Sequence, residues 1–226
     1  MSNKNGITLC SLEYTTNDTT YISRTIIDGS QNSNSTILCY EYTVNCTIRG
    51  FSITGGSGYV YFGESVPAQV FGGGIFIYAN NSIHLTNLNI YNNHTSSGGG
   101  VAIFAPNTIY LEGVNIYGNT ARYLGGGLAI GSEYYQLYPN LIFDQVNRCS
   151  IYNNFAQWGM DLMWYYIDGG TLQIYLKKFT VPQWEKYYAD YYDSYYPPNP
   201  YTVFDIQEAY IQPVDADLYV SPEGND

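Results

Sequence analysis

The sequence predicts an all-β protein built as a stack of similar turns, a β-solenoid. Three glycine triplets, at residues 72–74, 98–100 and 125–127, begin 26 and 27 residues apart. A short apolar run follows each triplet, and a fixed period of this length is typical of folds in which each unit packs on the next. Only 12% of the residues are charged, whereas Tyr, Asn, Thr, Ser and Gly are abundant. This composition favours strands and turns over helices.

Within each period the sequence predicts three short strands and an Asn-rich corner. In the first unit the apolar runs occupy residues 75–78, 83–85 and 88–91. Because neighbouring side chains on a strand point to opposite faces, we expect Leu88 and Ile90 in the core and Asn89 and Tyr91 outside. Three strands per period therefore form one turn.

The same alternation predicts the extent of the stack. It recurs at 51–54, 114–117, 149–152 and 172–175, and the earliest copy lies at 25–28. These copies predict about six turns. Inserts near 63–71 and 133–140 interrupt the period. We expect both to be loops, which in solenoids often form a binding face.

Beyond Tyr175 the repeat decays and a Tyr-rich segment follows. Between residues 184 and 196 tyrosine pairs recur every four residues, and two prolines follow. That spacing suits one face of a short helix. We interpret the segment as a cap over the open end of the stack, since terminal turns need covering. The cap residues are Trp184, Tyr187, Tyr188, Tyr191, Tyr192, Tyr195 and Tyr196. The sequence thus divides into a solenoid at 1–176 and a capping segment with its tail at 177–226.

Charge and hydropathy exclude several function classes. The chain of 226 residues carries 8 Lys plus Arg against 19 Asp plus Glu, a net charge of −11. Without a basic patch, nucleic acid and anionic membranes are not expected partners. No run approaches the ~18 apolar residues of a membrane span. The four cysteines lack metal-ligand spacing and are interpreted as small core residues, with a disulfide as the alternative. No metal or cofactor is expected.

In-register stacking predicts columns of like side chains about 4.8 Å apart. Tyr91, Tyr117 and Tyr152 are expected to form an outward row that Tyr175 extends. The row is either a stabilising stack, a flat strip that binds sugar rings or a protein, or a series of redox-active phenols. Tyr110, which lies one unit after His84, is a further outward aromatic residue.

One corner position predicts a ladder of amides. Asn93, Asn119 and Asn154 occupy it in successive units, and stacked amides hydrogen-bond from rung to rung. The glycine triplets lack the following helix and lysine of a phosphate-binding loop. We therefore interpret them as tight corners that need positive φ angles.

Several motifs carry a resemblance to a known family. They are TIIDG at 25–29, GFSITGG at 50–56, GGGI at 72–75 with its two successors, and the corners at 89–93 and 115–119. Over residues 6–176 these resemble the right-handed parallel β-helix superfamily with the pectin-lyase-like fold. More narrowly, they are similar to bacterial surface proteins with GGGI repeats, such as polymorphic outer-membrane proteins.

The resemblance implies a location and partners. Residues 218–226 resemble the opening of a new β-helix domain, and residues 6–10 resemble an internal rung. The expectation is a segment of a longer, multi-domain bacterial protein that is secreted or displayed on the cell surface. Its partners would be neighbouring β-helix domains of the same parent chain, and possible further ones are glycans, another surface protein, or a second copy bound end to end.

Enzymes with this fold are mostly polysaccharide lyases and hydrolases, which need clustered carboxylates and a base or acid. Residues 72–127 hold one acidic residue, Glu112, and one basic residue, Arg122. We therefore predict a structural or adhesive segment without catalysis of its own. The alternatives are carbohydrate binding through the outward tyrosines, a degenerate polysaccharide lyase or hydrolase, and charge transport along the tyrosine row.

Overall fold

The computed structural model describes residues 5–41, 45–61, 69–79, 81–104, 107–131, 139–165, 172–180, 189–192 and 202–210. In these residues the chain forms an all-β parallel solenoid of about four turns. Two short helices, α1 (Glu13–Thr16) and α2 (Thr20–Arg24), lie near its start. The prediction of a strand-rich solenoid is confirmed.

In chain order the strands are β1 (Thr8–Cys10), β2 (Ile26–Asp28), β3 (Ile37–Glu41), β4 (Cys46–Arg49), β5 (Ser52–Thr54), β6 (Tyr59–Tyr61), β7 (Gln69–Phe71), β8 (Ile75–Ala79), β9 (Asn81–Thr86), β10 (Asn89–Tyr91), β11 (His94–Ser97), β12 (Val101–Phe104), β13 (Asn107–Glu112), β14 (Asn115–Tyr117), β15 (Thr120–Leu124), β16 (Leu128–Gly131), β17 (Asn140–Phe143), β18 (Cys149–Tyr152), β19 (Leu162–Tyr165), β20 (Leu172–Thr180), β21 (Ala189–Tyr192) and β22 (Thr202–Tyr210). They form four sheets with the orders β1-β4-β9-β13-β17, β2-β5-β10-β14-β18-β20-β22, β15-β11-β7-β6 and β21-β19-β16-β12-β8-β3. We call these the first, second, third and fourth sheets.

A complete turn holds four strands, one in each sheet, as the succession β8, β9, β10, β11 shows. The predicted three strands per turn are therefore not confirmed. The additional strand is β11, for which the sequence predicts no element because HTSS has no apolar alternation. The predicted six turns are not confirmed either, because the first and last copies contribute described strands to only some of the sheets.

Inward columns of aliphatic side chains form the core. In the second sheet, Ile53, Ile90, Ile116 and Ile151 are paired in register and buried. Cys39, Cys46 and Cys149 lie in the same core as thiols. Burial raises the pKa of Cys39 and of Cys149 to about 12, so both are inert apolar residues. The interpretation of these three cysteines as core residues is confirmed.

A second apolar cluster lies outside the solenoid core, on the outer side of the fourth sheet. The antiparallel hairpin of β6 and β7 packs over Phe76, which is buried together with Phe71 and Ala102. The partly buried members are Leu38, Tyr40, Tyr59, Tyr61, Tyr78 and Phe104. The insert predicted as a loop at 63–71 thus ends in a strand at 69–71, whereas residues 62–68 lie outside the described part. Residues 133–138 of the second insert also lie outside the described part, and its last residue, Asn140, begins β17.

The glycine triplets form tight corners, as predicted. Their first members, Gly72, Gly98 and Gly125, have φ angles of 60°, 70° and 57°, which favour glycine. The third members allow close approach between turns. A Cβ on Gly100 would lie 2.7 Å from the carbonyl oxygen of Gly127 on the next turn.

The predicted C-terminal helix is wrong for residues 189–192. These residues form β21, which pairs in parallel with β19 and extends the fourth sheet. A four-residue tyrosine spacing does not exclude a strand, and Tyr suits strands. Trp184, Tyr187, Tyr188, Tyr195 and Tyr196 lie outside the described residues. The proposed division at 176/177 stays a prediction, and β20 runs through it.

Candidate functional site

A row of tyrosines runs along the outer face of the second sheet. The rings of Tyr91 and Tyr117 stack with centroids 5.4 Å apart and planes 14° apart. Tyr117 and Tyr152 stack in the same way, at 5.4 Å and 10°. The strands hold these residues in register, so the predicted columns of like side chains are present here.

The row continues at Tyr210 and not at Tyr175. A register shift between Cys149 and Ser150 moves β20 relative to β18 and aligns Ile151 with Phe179. Thr180 therefore occupies the next place in the row. The ring of Tyr210 lies beyond it, 5.0 Å from that of Tyr152 and tilted by 43°. Tyr175 instead lies beneath the guanidinium of Arg148, which is 5.6 Å from the ring centroid.

The environment of the row keeps its central phenols neutral. Burial raises the pKa of Tyr117, and the neighbouring Tyr152 and Tyr91 add to the shift. Burial and Tyr210 likewise raise the pKa of Tyr152. A row of neutral, stacked rings stabilises the sheet by about 0.5–1.5 kcal/mol per pair beyond burial.

A polar column lies beside the tyrosines on the same sheet. Asn89, Asn115, Ser150, Lys178 and Glu208 face one another in register on five successive strands of the sheet. The amide of Asn115 donates to Oδ1 of Asn89 at 3.1 Å, and Lys178 and Glu208 form an ion pair at 3.7 Å.

The two columns enclose an open cleft of about 270 Å³. It is lined by Asn89, Asn115, Tyr117, Ser150, Tyr152, Lys177, Lys178 and Glu208. Phenol, amide, hydroxyl, ammonium and carboxylate groups therefore converge on one surface. The alternation in the sequence placed Asn89, Asn115 and Tyr117 outside, but Lys178 and Glu208 lie where the repeat is no longer visible.

Tyr110 belongs to a different surface, on the first sheet. Its ring stacks on His84 with centroids 4.2 Å apart and an angle of 7°, and its strand neighbour on the next turn is Ile142. The prediction that Tyr110 lies outside, one unit after His84, is confirmed. Tyr110 and the tyrosine row lie on different sheets.

Asn93, Asn119 and Asn154 form the predicted ladder, and they are buried. The amide of Asn93 donates to Oδ1 of Asn119 at 3.0 Å, and that of Asn119 donates to Oδ1 of Asn154 at 3.0 Å. Each acceptor oxygen also receives the backbone N–H of the preceding asparagine, at 3.1 Å. The ladder thus satisfies buried backbone and side-chain groups together.

Asp161, which sequence analysis missed, ends this ladder. It is fully buried, and its Oδ1 accepts the N–H and the amide of Asn154. Burial raises its pKa to about 7, against hydrogen bonds from Thr180 and Asn154 that lower it. Residues 159–161 occupy the place of a glycine triplet, since Asp161 aligns with Gly127. The signal in the sequence that could have revealed Asp161 is the aspartate at the third position of this degenerate triplet.

A second amide column, also missed, runs at another corner. The amide of Asn147 donates to Oδ1 of Asn87 at 3.0 Å, and that of Asn87 donates to Oε1 of Glu13 at 2.8 Å. Glu13 is buried and forms two hydrogen bonds with Arg49, at 2.8 and 2.9 Å. The side-chain hydrogen bond from Arg49 lowers the pKa of Glu13. Contacts between residues 74 apart are invisible to a local sequence pattern.

Among the described residues, no group of three or more His, Cys, Asp or Glu side chains is placed to hold a metal ion. No helix in that part of the chain has the length and apolar character needed to cross a bilayer.

No family model, no curated protein and no solved structure matches this chain. The resemblance to the pectin-lyase-like superfamily therefore depends on the quoted motifs alone.

Proposed function

We propose that this chain is a rigid structural or adhesive segment, without catalysis of its own, of a larger secreted or cell-surface protein. The observation that carries the proposal is the buried asparagine ladder. Asn93, Asn119 and Asn154 join consecutive turns through side chains and backbone at once. Such doubled connections oppose bending between turns, because any opening exposes unsatisfied buried groups.

The finer assignment follows from the sequence motifs. We propose a right-handed winding of the pectin-lyase-like type, which is also the hand that parallel β-crossovers adopt. Neighbouring β-helix domains of the same parent chain would continue the body at its ends. The surface location follows from the resemblance to GGGI-repeat bacterial proteins. Labelling of intact cells by an antibody against this chain tests it, and labelling only after lysis would contradict it.

Pulling the protein by its two ends in a force spectrometer tests the mechanical role. We expect unfolding in steps of about one turn at high force, because the strands of each repeat pair with those of the adjacent repeats. Asn119→Ala should lower the force of the first step. The matched control is Asn115→Ala, which removes an amide on the outer face. Unfolding of the unmodified protein at forces no higher than those of an ordinary helical domain would contradict the proposal.

A second candidate is carbohydrate binding, which the cleft beside the tyrosine row favours. Its amide, hydroxyl and charged groups suit sugar hydroxyls, and an aromatic edge beside them is common in ligand sites. The faces of Tyr117 are covered by its two stacked neighbours. A sugar would therefore contact ring edges and phenol oxygens in the cleft, not a flat strip of faces.

A glycan array followed by titration tests this candidate. Binding that is lost in Asn115→Ala and Lys178→Ala, but kept in Tyr110→Phe on the other sheet, would support the cleft. Binding that is equal in all three variants would exclude it. Release of unsaturated product from polygalacturonate or alginate would instead revive the alternative of a degenerate lyase.

A further inference from the structure

We propose that Tyr152 and Tyr210 are a site of oxidative cross-linking, at which a carbon–carbon bond between the two rings fastens β22 to the body of the solenoid. The inference is independent of the proposed function. The two residues are 58 positions apart in the chain, and their ring centroids are 5.0 Å apart. Both side chains are partly exposed.

The geometry of this pair differs from that of the other members of the row. Tyr91, Tyr117 and Tyr152 stack nearly parallel on adjacent strands that are hydrogen-bonded on both sides. Tyr210 is in register with Thr180 on the intervening strand β20. Because the Thr180 side chain is small, the ring of Tyr210 passes over it and meets Tyr152 at an angle of 43°.

The place of β22 in its sheet favours bond formation at the same pair. Among the described strands, β22 is at the edge of its sheet and pairs only with β20. An edge strand can shift so that two ring carbons ortho to the hydroxyls approach, whereas β10 and β14 are held on both sides. A tilted pair needs less rotation than a parallel stack to bring one ring edge against the other.

The chemistry requires two one-electron oxidations. Each phenol loses one electron and one proton and becomes a neutral phenoxyl radical. The radicals join through their ortho carbons, and the two ortho hydrogens move to the phenol oxygens as the rings regain aromaticity. The co-reactant is a peroxide used by a one-electron oxidant, so that two phenols and one hydrogen peroxide give one dityrosine and two waters.

The other tyrosines of the row provide a path by which a radical reaches Tyr152. A radical formed on Tyr91 can reach Tyr152 through Tyr117, since successive centroids are 5.4 Å apart. Among the described residues, Tyr152 is the member of the row with a tilted partner. The resulting bond closes a loop of 58 residues, and such links stabilise mainly by restricting the unfolded chain.

Treatment of the dilute folded protein with hydrogen peroxide and a haem peroxidase tests the inference. We expect dityrosine fluorescence, a product of monomer size that has lost two hydrogens, and a cross-linked peptide pair holding Tyr152 and Tyr210. The urea midpoint of that product should be higher than that of untreated protein.

Two variants make the result decisive. Tyr210→Phe keeps the ring contact but removes the phenol, and it should abolish this peptide pair. Tyr175 lies outside the row, so Tyr175→Phe should leave the yield of the Tyr152–Tyr210 peptide pair unchanged. If monomer-sized products lack the Tyr152–Tyr210 pair while circular dichroism shows folded protein, the inference is overturned. Equal yields of the pair in folded and urea-unfolded protein would also overturn it, because geometry would then play no part.

Discussion

Asn154 donates both its backbone N–H and its side-chain amide to Oδ1 of Asp161, at 3.0 and 2.9 Å. The carboxylate occupies the place that the next asparagine of the ladder would take. Its other oxygen accepts the backbone N–H of Thr180 at 3.3 Å. The ladder therefore ends inside the protein, at a titratable group.

The stability of the fold should fall as the pH rises from about 4 to about 7. Burial raises the pKa of Asp161 from 3.8 to about 7, so between these values the folded chain holds a proton that the unfolded chain has lost. At about 1.4 kcal/mol per pKa unit, this group alone lowers the unfolding free energy by up to about 4 kcal/mol across the range. Urea denaturation at a series of pH values measures the slope.

Asp161→Asn isolates that contribution, because it cannot ionise and keeps Oδ1 for Asn154. Its stability should vary less with pH than that of the unmodified protein, and the difference should be largest above pH 7. Asp144→Asn, which changes a partly exposed carboxylate bonded within its own turn, serves as the control. A slope that is identical in the unmodified protein and Asp161→Asn would show that Asp161 does not titrate in this range.

Asn119→Ala should destabilise the protein by about 2–5 kcal/mol. The change leaves the backbone N–H of Asn93 without its acceptor, and an unsatisfied buried group costs about 1–3 kcal/mol. It also removes the hydrogen bonds that the Asn119 amide donates to Ile90 and Asn154, whereas the Asn93 amide keeps two backbone carbonyl acceptors. Asn115→Ala removes one amide pair on the outer face and should cost less than about 1 kcal/mol. Urea midpoints of the two variants provide the comparison. If both variants lose the same unfolding free energy, the buried ladder contributes no more to stability than the exposed amide pair.

Gly100→Ala should be among the most damaging single-methyl changes. The new Cβ would lie 2.6 Å from Cγ2 of Ile116 and 2.7 Å from the carbonyl oxygen of Gly127, so the turns must separate. We expect a loss of more than about 3 kcal/mol, as for severe overpacking. Gly118→Ala meets its nearest atom at 3.5 Å and should cost about 1–2 kcal/mol for its positive φ. A reversed order in thermal denaturation would refute the steric argument.

Glu13→Gln should weaken the start of the solenoid by about 1–3 kcal/mol at neutral pH, since it removes charge from a buried hydrogen-bonded pair with Arg49. The pKa of Glu13 is lowered below 4.5, so its contribution is present above that value and is lost as the pH falls through the folded pKa. The exposed Glu208→Gln is the matched control. Hydrogen exchange in β1 and β4 reports the effect, and unchanged protection there would contradict it.

Local patterns predicted the parts of this fold that repeat. Alternation placed Ile90 and Ile116 in the core, and the 26-residue spacing aligned Tyr91 with Tyr117. Each assignment needs only the strand period and the repeat length. The shared corner position located the asparagine ladder correctly.

The misses occur where the chain departs from the repeat. The register shift between β18 and β20 removes Tyr175 from the tyrosine row, and Tyr210 continues the row instead. A shift of one residue is not visible in the sequence where the repeat has decayed. The sequence did not predict β11 because its residues are polar. It did not predict the hairpin of β6 and β7 because the aromatic residues of that hairpin pack outside the solenoid core. Asp161 was missed because the sequence predicted a ladder made of asparagines alone, and an aspartate ends it.

The two amide columns donate in opposite directions, from Asn93 toward Asp161 and from Asn147 toward Glu13. Their dipoles therefore oppose each other, and an acidic side chain, Asp161 in one column and Glu13 in the other, accepts the last hydrogen bond of each. Residues 72–97 contribute one asparagine to each column, Asn93 to the first and Asn87 to the second. Duplicating that unit in tandem would lengthen the rod by one rung and leave both termini intact. Duplicating residues 98–124 would place a further glycine equivalent to Gly113 between Asn87 and Asn147 and interrupt one column.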